Sequence, residues 1–166
     1  MAIKPKFTPQ DINRMLQQHL DHINSGIVTI FQRVGEQFVR DARMGIDINS
    51  GTYPKGDYTD QTGNLRSSIG YIVAHDGVIL TQKFDYFDPS LSRFIPQVLT
   101  NTIGLRWSLV GAAGMEYASY LESKGYNVIS SQAQTAMVDL TDRVKKFVKD
   151  AYPGTDIQFA GVTSSI

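Results

Sequence analysis

Only a few residues have the type and spacing that could support catalysis or metal binding. His19 and His22 stand three apart on a predicted helix with Asp21 between them, so two imidazole rings could face one metal ion. Asp85 and Asp88 flank aromatic residues and could act as an acid and base pair. A solvated helix face explains the histidines equally well, and Asp-Pro commonly opens a turn. We therefore expect no catalytic residue, no metal site and no cofactor.

Short motifs of large enzyme classes are also missing. The chain contains no G-x-S-x-G, H-E-x-x-H, Walker A or G-x-G-x-x-G pattern, and "GAAG" at 111–114 lacks the spacing and the basic residue that a phosphate site needs. Cysteine is absent, which removes disulfides, thiolate metal sites and cysteine nucleophiles and fits a reducing cytoplasm. The sequence favours a protein that is not an enzyme.

Composition and charge are those of an ordinary globular chain. The 166 residues suit one domain, with 42% hydrophobic and 19% charged residues. Lys plus Arg and Asp plus Glu number 16 each, so no global field attracts a polyanion. The basic run "RVKKFVK" at 143–149 has acidic residues around it, which indicates a solvated helix face. We expect neither sequence-specific nucleic-acid binding, nor a classical secretion signal, nor a membrane span.

A long helical region is predicted near the N-terminus. Thr8 is a suitable N-cap, Asp11 falls in the first turn, and Gly45 is a natural stop. Apolar residues recur at steps of three and four from Ile12 onward, which predicts one buried face. The Ser-Gly pair at 25–26 leaves open whether the region is one helix or two.

Four short strands and a second amphipathic helix follow. "GYIVAHDGVILTQ" predicts a hairpin that turns at 76–77, "LRWSLVGA" a third strand, and "YNVI" at 126–129 a fourth. A short helix ends at Gly125, and the last helix covers 131–151. The sequence thus predicts an α+β fold, with a long N-terminal helical region and a C-terminal amphipathic helix packed on a small, mainly antiparallel sheet of about four strands.

One domain and one tail are predicted. Residues 1–151 form the α+β domain, with irregular connections at 45–61 and 83–104. The segment 152–166 has little charge and no helical period. It is either a frayed tail or an arm that adds a strand to the sheet edge of a neighbouring subunit.

Two short motifs give the chain a family resemblance. "TGNLRSSI" at 62–69 matches TG-x-L-R-x-S-I, and "YASYLESKG" at 117–125 matches YA-x-Y-(V/L)-E-x-x-G. In this order, and with helices on both sides over roughly residues 9–150, they resemble the tail-component and head-to-tail joining proteins of lambda-like siphophages and prophages. Many relatives continue after the second motif with Gly-Thr and Pro-Phe, and this chain does not. The motif and assembly candidates are Thr62, Gly63, Leu65, Arg66, Ser68, Tyr117, Tyr120, Glu122 and Gly125.

The resemblance implies a non-enzymatic virion protein of the phage neck. Such a protein acts in head-to-tail joining or tail completion by forming a homo-oligomeric ring between portal and tail. Its implied partners are other copies of itself, connector or portal-side proteins, and tail-tube or tail-terminator proteins, with no membrane. It is made in the bacterial cytoplasm and located in the virion. The rival classes are a small hydrolase and a nucleic-acid-binding or regulatory module.

The first motif also has a physical interpretation. Leu65 and Ile69 lie four apart on one face, which predicts that this turn anchors to the core. Arg66 then points away and could pair with Glu122, within one subunit or across an interface. The alternative is that Arg66 and Glu122 are surface side chains that do not pair with each other.

Overall fold

The computed structural model describes residues 8–44, 64–85, 96–97, 100–101, 106–115 and 117–154. The predicted connection at 45–61, most of the excursion at 83–104, and residues 155–166 lie outside these ranges. The described elements, in chain order, are α1 (Pro9–Met44), α2 (Asn64–Ser68), β1 (Ile69–His75), β2 (Val78–Lys83), β3 (Trp107–Ala113), α3 (Tyr117–Ser123) and α4 (Ser130–Ala151).

The N-terminal region is one continuous helix of 36 residues. Its start is a capping box, because the Thr8 hydroxyl accepts the Asp11 backbone N–H at 3.2 Å and the Asp11 carboxylate accepts the Thr8 N–H at 3.1 Å. The hydrogen bonds from Thr8 lower the pKa of Asp11. The helix continues through Ser25, whose hydroxyl donates to the Asp21 carbonyl oxygen at 2.9 Å.

The sheet confirms the α+β prediction but has three strands in the described residues, in the antiparallel order β2-β1-β3. Asp76 and Gly77 have φ values of 49° and 78°, which form the tight two-residue hairpin turn that the sequence predicts. The central strand β1 is buried along nearly its whole length. The sheet therefore contributes core residues to both of its faces.

The predicted fourth strand at 126–129 is wrong. This segment connects α3 to α4, and the backbone N–H groups of Val128 and Ile129 donate to the Glu122 carboxylate at 3.0 and 2.6 Å. Those donors are not available for a strand ladder. The apolar character that suggested a strand instead places Val128 in the core, fully buried.

Glycines allow α1 to lie close to its neighbours. A Cβ atom on Gly26 would lie 2.3 Å from the Phe147 ring of α4, and one on Gly35 would lie 2.5 Å from the Tyr71 ring of β1. Phe31 packs in the same cluster as Tyr71.

We call residues 26–44 of α1, together with the sheet and α4, the body of the protein.

Candidate functional site

The two sequence motifs meet in one hydrophobic cluster. Leu65 and Ile69 of the first motif are almost completely buried, as predicted. They share a cluster with Ala118 of the second motif, with Val128 and with Phe38 of α1. The motifs, separated by about fifty residues in sequence, therefore build one structural unit.

Ser68 links the first motif to the end of β3. Its buried hydroxyl donates to the Leu65 carbonyl oxygen at 2.8 Å and accepts the Gly114 N–H at 3.2 Å. The Ser68 carbonyl oxygen accepts the same N–H at 3.3 Å. Gly114, which belongs to the "GAAG" sequence, therefore has a structural contact in this fold.

Glu122 caps the N-terminus of α4. Oε1 accepts the backbone N–H groups of Val128, Ile129 and Ser130, and Oε2 accepts the Ser130 hydroxyl at 2.8 Å. The Asn127 side-chain oxygen accepts the Ser131 N–H at 3.0 Å. A carboxylate at this position also interacts favourably with the positive end of the helix dipole. The second motif thus fixes where the last helix begins.

The hydrogen bonds that position the Glu122 carboxylate do not involve Arg66, the partner that the sequence suggested. Within the described residues, the hydrogen bonds of the Glu122 carboxylate go to the segment 128–130. Arg66 lies exposed on α2. The sequence had no short-range signal for the cap, because Glu122 precedes the capped residues by six to eight positions rather than by the spacing of a capping box.

Gly125 ends α3, as predicted. Its φ is 85°, its N–H donates to the Glu122 carbonyl oxygen at 3.0 Å, and the Tyr126 N–H donates to the Leu121 carbonyl oxygen at 3.0 Å. This pattern is a Schellman motif. Tyr120 is exposed, with the Lys124 ammonium 5.5 Å from its ring centroid.

Three motif residues have no described side-chain contacts. Tyr117 begins α3, but its side chain is not among the described ones. Thr62 and Gly63 lie outside the described residues, so their roles in the motif stay predictions.

Of the two catalytic candidates, only Asp85 is among the described residues. Asp85 binds Arg43, whose other terminal nitrogen donates to the Ile69 carbonyl oxygen at 2.8 Å, so this group fastens the end of α1 to β1. Asp88 lies outside the described residues. His19 and His22 line a surface depression of about 310 Å³. Within the described ranges, no group of three or more potential metal ligands forms.

The basic run of α4 is interleaved with acidic residues. The side chains of Arg143, Lys146 and Lys149 are exposed, but Arg143 donates to the Asp139 carboxylate at 2.7 Å. Asp142 is exposed on the same helix. This arrangement does not favour a continuous phosphate-binding face.

The N-terminal part of α1 exposes an apolar ridge. We call residues 9–25 the α1 extension, because all of them except Asp11 and Ile23 are exposed, whereas the first buried side chain of α1 is Phe31. The predicted buried face is present in the body but is wrong for the extension. There four large hydrophobic side chains are between 49% and 58% exposed, and together they form the ridge: Ile12, Met15, Leu16 and Leu20.

A second apolar surface lies on the edge strand β2. Val78, Ile79 and Leu80 are 39–63% exposed, and we call these three residues the β2 patch. Val73 pairs with Thr81 and Ala74 pairs with Ile79, so Leu80 is an extra residue in a β-bulge. Every residue of β2 except Thr81 is exposed, so both faces of this edge strand reach solvent.

Comparisons of the chain with protein-family models, with curated proteins and with solved structures give no match. The resemblance to phage neck proteins therefore rests on the two motifs and their order. In the described part of the chain, no helix has both the length and the apolar character needed to cross a membrane.

Proposed function

We propose that this chain is a structural protein of the phage neck, which acts in head-to-tail joining or tail completion by assembling into a ring between portal and tail. The observation on which this proposal depends is the α1 extension. A helix that leaves the body with its apolar ridge exposed is a costly surface for an isolated subunit but a suitable one for a subunit interface.

The positions of the motif residues support the same proposal. Leu65, Ser68 and Glu122 make contacts that shape the subunit: a buried anchor, a link between α2 and β3, and a helix cap. A motif whose residues stabilise the fold of the subunit is consistent with a protein that functions by assembling into a larger structure. An enzyme motif would instead be expected to place reactive groups in a pocket.

Several acidic residues also have structural partners. Asp11 caps α1, Asp85 binds Arg43, and Glu36 accepts a hydrogen bond from the Lys83 ammonium at 2.9 Å. That hydrogen bond lowers the pKa of Glu36 and raises the pKa of Lys83. These three carboxylates each fix a helix or a strand in place, which is a structural role.

Light scattering across a concentration series, followed by electron microscopy of the largest species, tests the proposal. We expect a closed assembly of one defined mass, with rings visible in projection. A strict monomer up to millimolar subunit concentration, with no incorporation into a portal and tail mixture, would overturn it. Deleting 155–166 tests the arm interpretation of the tail separately, because unchanged assembly would refute that interpretation alone.

A further inference from the structure

The sheet has a second buried face, on the side opposite to α1 and α4. On the first face, Tyr71 of β1 packs with Phe31 of α1 and Val144 of α4. Side chains alternate along a strand, so Ile72 and Ala74 lie on the second face, and both are 0% exposed. Complete burial means that other groups of the protein lie over these two side chains.

The described apolar side chains account for only part of this cover. Val110 and Ala112 pack in the same cluster, but they belong to β3, which lies beside β1 and not over it. Phe84 lies over Gly70, since a Cβ atom on this glycine would overlap the Phe84 ring. Ala74 is four residues further along β1, which is about 14 Å and beyond the reach of one ring. Another part of the chain therefore covers the far end of the second face.

The strand order shows which connection crosses the sheet. The central strand β1 pairs antiparallel with both β2 and β3, so β2 and β3 run parallel to each other on opposite sides of β1. A connection between parallel strands of one sheet has to cross over a face of that sheet, and it usually contains a helix. Residues 84–106 form this connection, and we call them the crossover segment. They must pass over β1.

The crossing takes place on the second face. The first face is occupied by α1 and α4, as the cluster around Tyr71 shows. Phe84 is the first residue after β2, and it already packs on the second face. In addition, β2 ends beside the start of β1, whereas β3 begins beside the end of β1. The crossover segment therefore has to run diagonally along β1, over the positions of Ile72 and Ala74.

We propose that the crossover segment covers the second face of the sheet with the apolar side of a short helix. The part of this helix that the structure describes is exposed and polar in character. The Thr100 hydroxyl donates to the Pro96 carbonyl oxygen at 2.8 Å, across one helical turn. At about 100° per residue, four exposed residues share the outer side of the helix: Pro96, Gln97, Thr100 and Asn101.

The opposite side of the same helix is apolar in sequence. The positions that face away from the four exposed residues are 95, 98 and 99, and these are Ile95, Val98 and Leu99. Such a side matches Ile72 and Ala74, which require an apolar cover. The second face is then closed by the chain itself, so copies of the protein contact each other elsewhere. This inference concerns the single subunit and does not depend on the proposed ring.

Nuclear Overhauser effects between methyl groups test this placement without altering the chain. In the full-length protein with isotope-labelled methyl groups, Ile72 and Val110 should show cross-peaks to Val98 and Leu99. Leu16 of the α1 extension is the control, because it is exposed and should show no cross-peak to Ile72. A sample that mixes labelled and unlabelled chains separates contacts within one chain from contacts between chains.

A matched pair of variants tests the orientation of the helix. Leu99→Asp adds a charge to the proposed inner side, and Asn101→Asp adds the same charge to the exposed side. Leu99→Asp should lower the urea midpoint of unfolding and increase the fluorescence of a dye that binds apolar surfaces, because burying a carboxylate is unfavourable. Asn101→Asp should leave both measurements at their wild-type values.

The other outcomes would each overturn the proposal. Cross-peaks from Ile72 to residues within 45–61 or 155–166, and none to Val98 or Leu99, would assign the cover to a different segment. Cross-peaks that occur only between chains would assign it to a second copy. Equal effects of Leu99→Asp and Asn101→Asp would show that the helix has no side that packs on the sheet. Light scattering tests the ring separately, so either proposal can fail without the other.

Discussion

Replacing Glu122 with alanine should destabilise the protein more than any other single change of an exposed or half-buried acidic residue on α3 and α4. One oxygen of this carboxylate accepts three backbone N–H groups, at 3.0, 2.6 and 3.1 Å, and the other accepts the Ser130 hydroxyl. The N–H groups of Val128 and Ile129 are partly buried. Water can replace the carboxylate only incompletely at these two donors.

The expected loss in the free energy of unfolding has two sources, which are the lost helix cap and the backbone N–H groups left without an acceptor. Removing a helix cap costs about 1 kcal/mol, and leaving a buried N–H unsatisfied costs about 1–3 kcal/mol, so Glu122→Ala should lose about 2–4 kcal/mol. With a urea m-value of about 2 kcal/mol/M, the unfolding midpoint should fall by roughly 1–2 M. Glu122→Gln keeps an amide oxygen as acceptor but loses the charge, and should lose about half as much.

Urea unfolding followed by circular dichroism measures the loss, and hydrogen exchange locates it. Exchange of the amides of Ser130 and Ser131 should accelerate more than exchange of amides at the C-terminal end of α4. Asp142→Ala, which removes an exposed carboxylate from α4, is the matched control and should change stability by no more than about 0.5 kcal/mol. If Glu122→Ala lowers the midpoint no more than Asp142→Ala, the capping role is refuted.

Three further changes test local features, each measured by urea unfolding. Gly125→Ala should cost about 1 kcal/mol and Gly125→Asn less, because φ is 85° and an added Cβ meets nothing within 4 Å; equal costs would contradict a backbone origin. Gly35→Ala should cost about 1–3 kcal/mol of stability, since the added Cβ would lie 2.5 Å from the Tyr71 ring. Combining Gly35→Ala with Tyr71→Leu should recover part of this loss. If the double variant recovers none of it, the clash is refuted. Burial raises the pKa of Tyr71 above its ordinary 10.0, so the stability that the protonated hydroxyl contributes is complete below pH 10 and falls as pH rises through the raised pKa. Tyr71→Phe should reduce this loss of stability at alkaline pH. An unchanged dependence of stability on pH would contradict the assignment to Tyr71.

The features that the sequence predicted correctly are the ones decided within a few residues. The N-cap at Thr8 depends on a hydrogen bond from its own side chain to a backbone N–H three residues away. The turn at Asp76 and Gly77 and the stop at Gly125 depend on positive φ values, which Asp tolerates and Gly adopts without a Cβ clash. The burial of Leu65 was predictable because its four-residue spacing from Ile69 gives one apolar face.

The features that the sequence missed depend on contacts between distant segments. The segment at 126–129 has the composition of a strand, and only the position of Glu122 in space shows that its N–H groups are taken. The ridge of the α1 extension has the same period as the buried part of the helix. Periodicity shows that a face is apolar but not whether the chain has a second element to cover it. In this protein Ile27, Ile30 and Phe31 pack in one cluster with residues of α4, whereas Ile12, Leu16 and Leu20 stay exposed.

The separation of the motifs from the exposed apolar surfaces bears on how the function should be tested. Leu65, Ser68 and Glu122 hold the subunit together, so changing them should reduce stability first and assembly only as a consequence. The ridge residue Leu16 and the patch residue Leu80 are half exposed, so changing them should leave the subunit folded and affect only what it binds. A variant of Leu16 that assembles poorly while unfolding at the wild-type urea concentration would therefore assign the interface to the extension. Loss of assembly in a Glu122 variant alone could not do so, because a frayed α4 would give the same result.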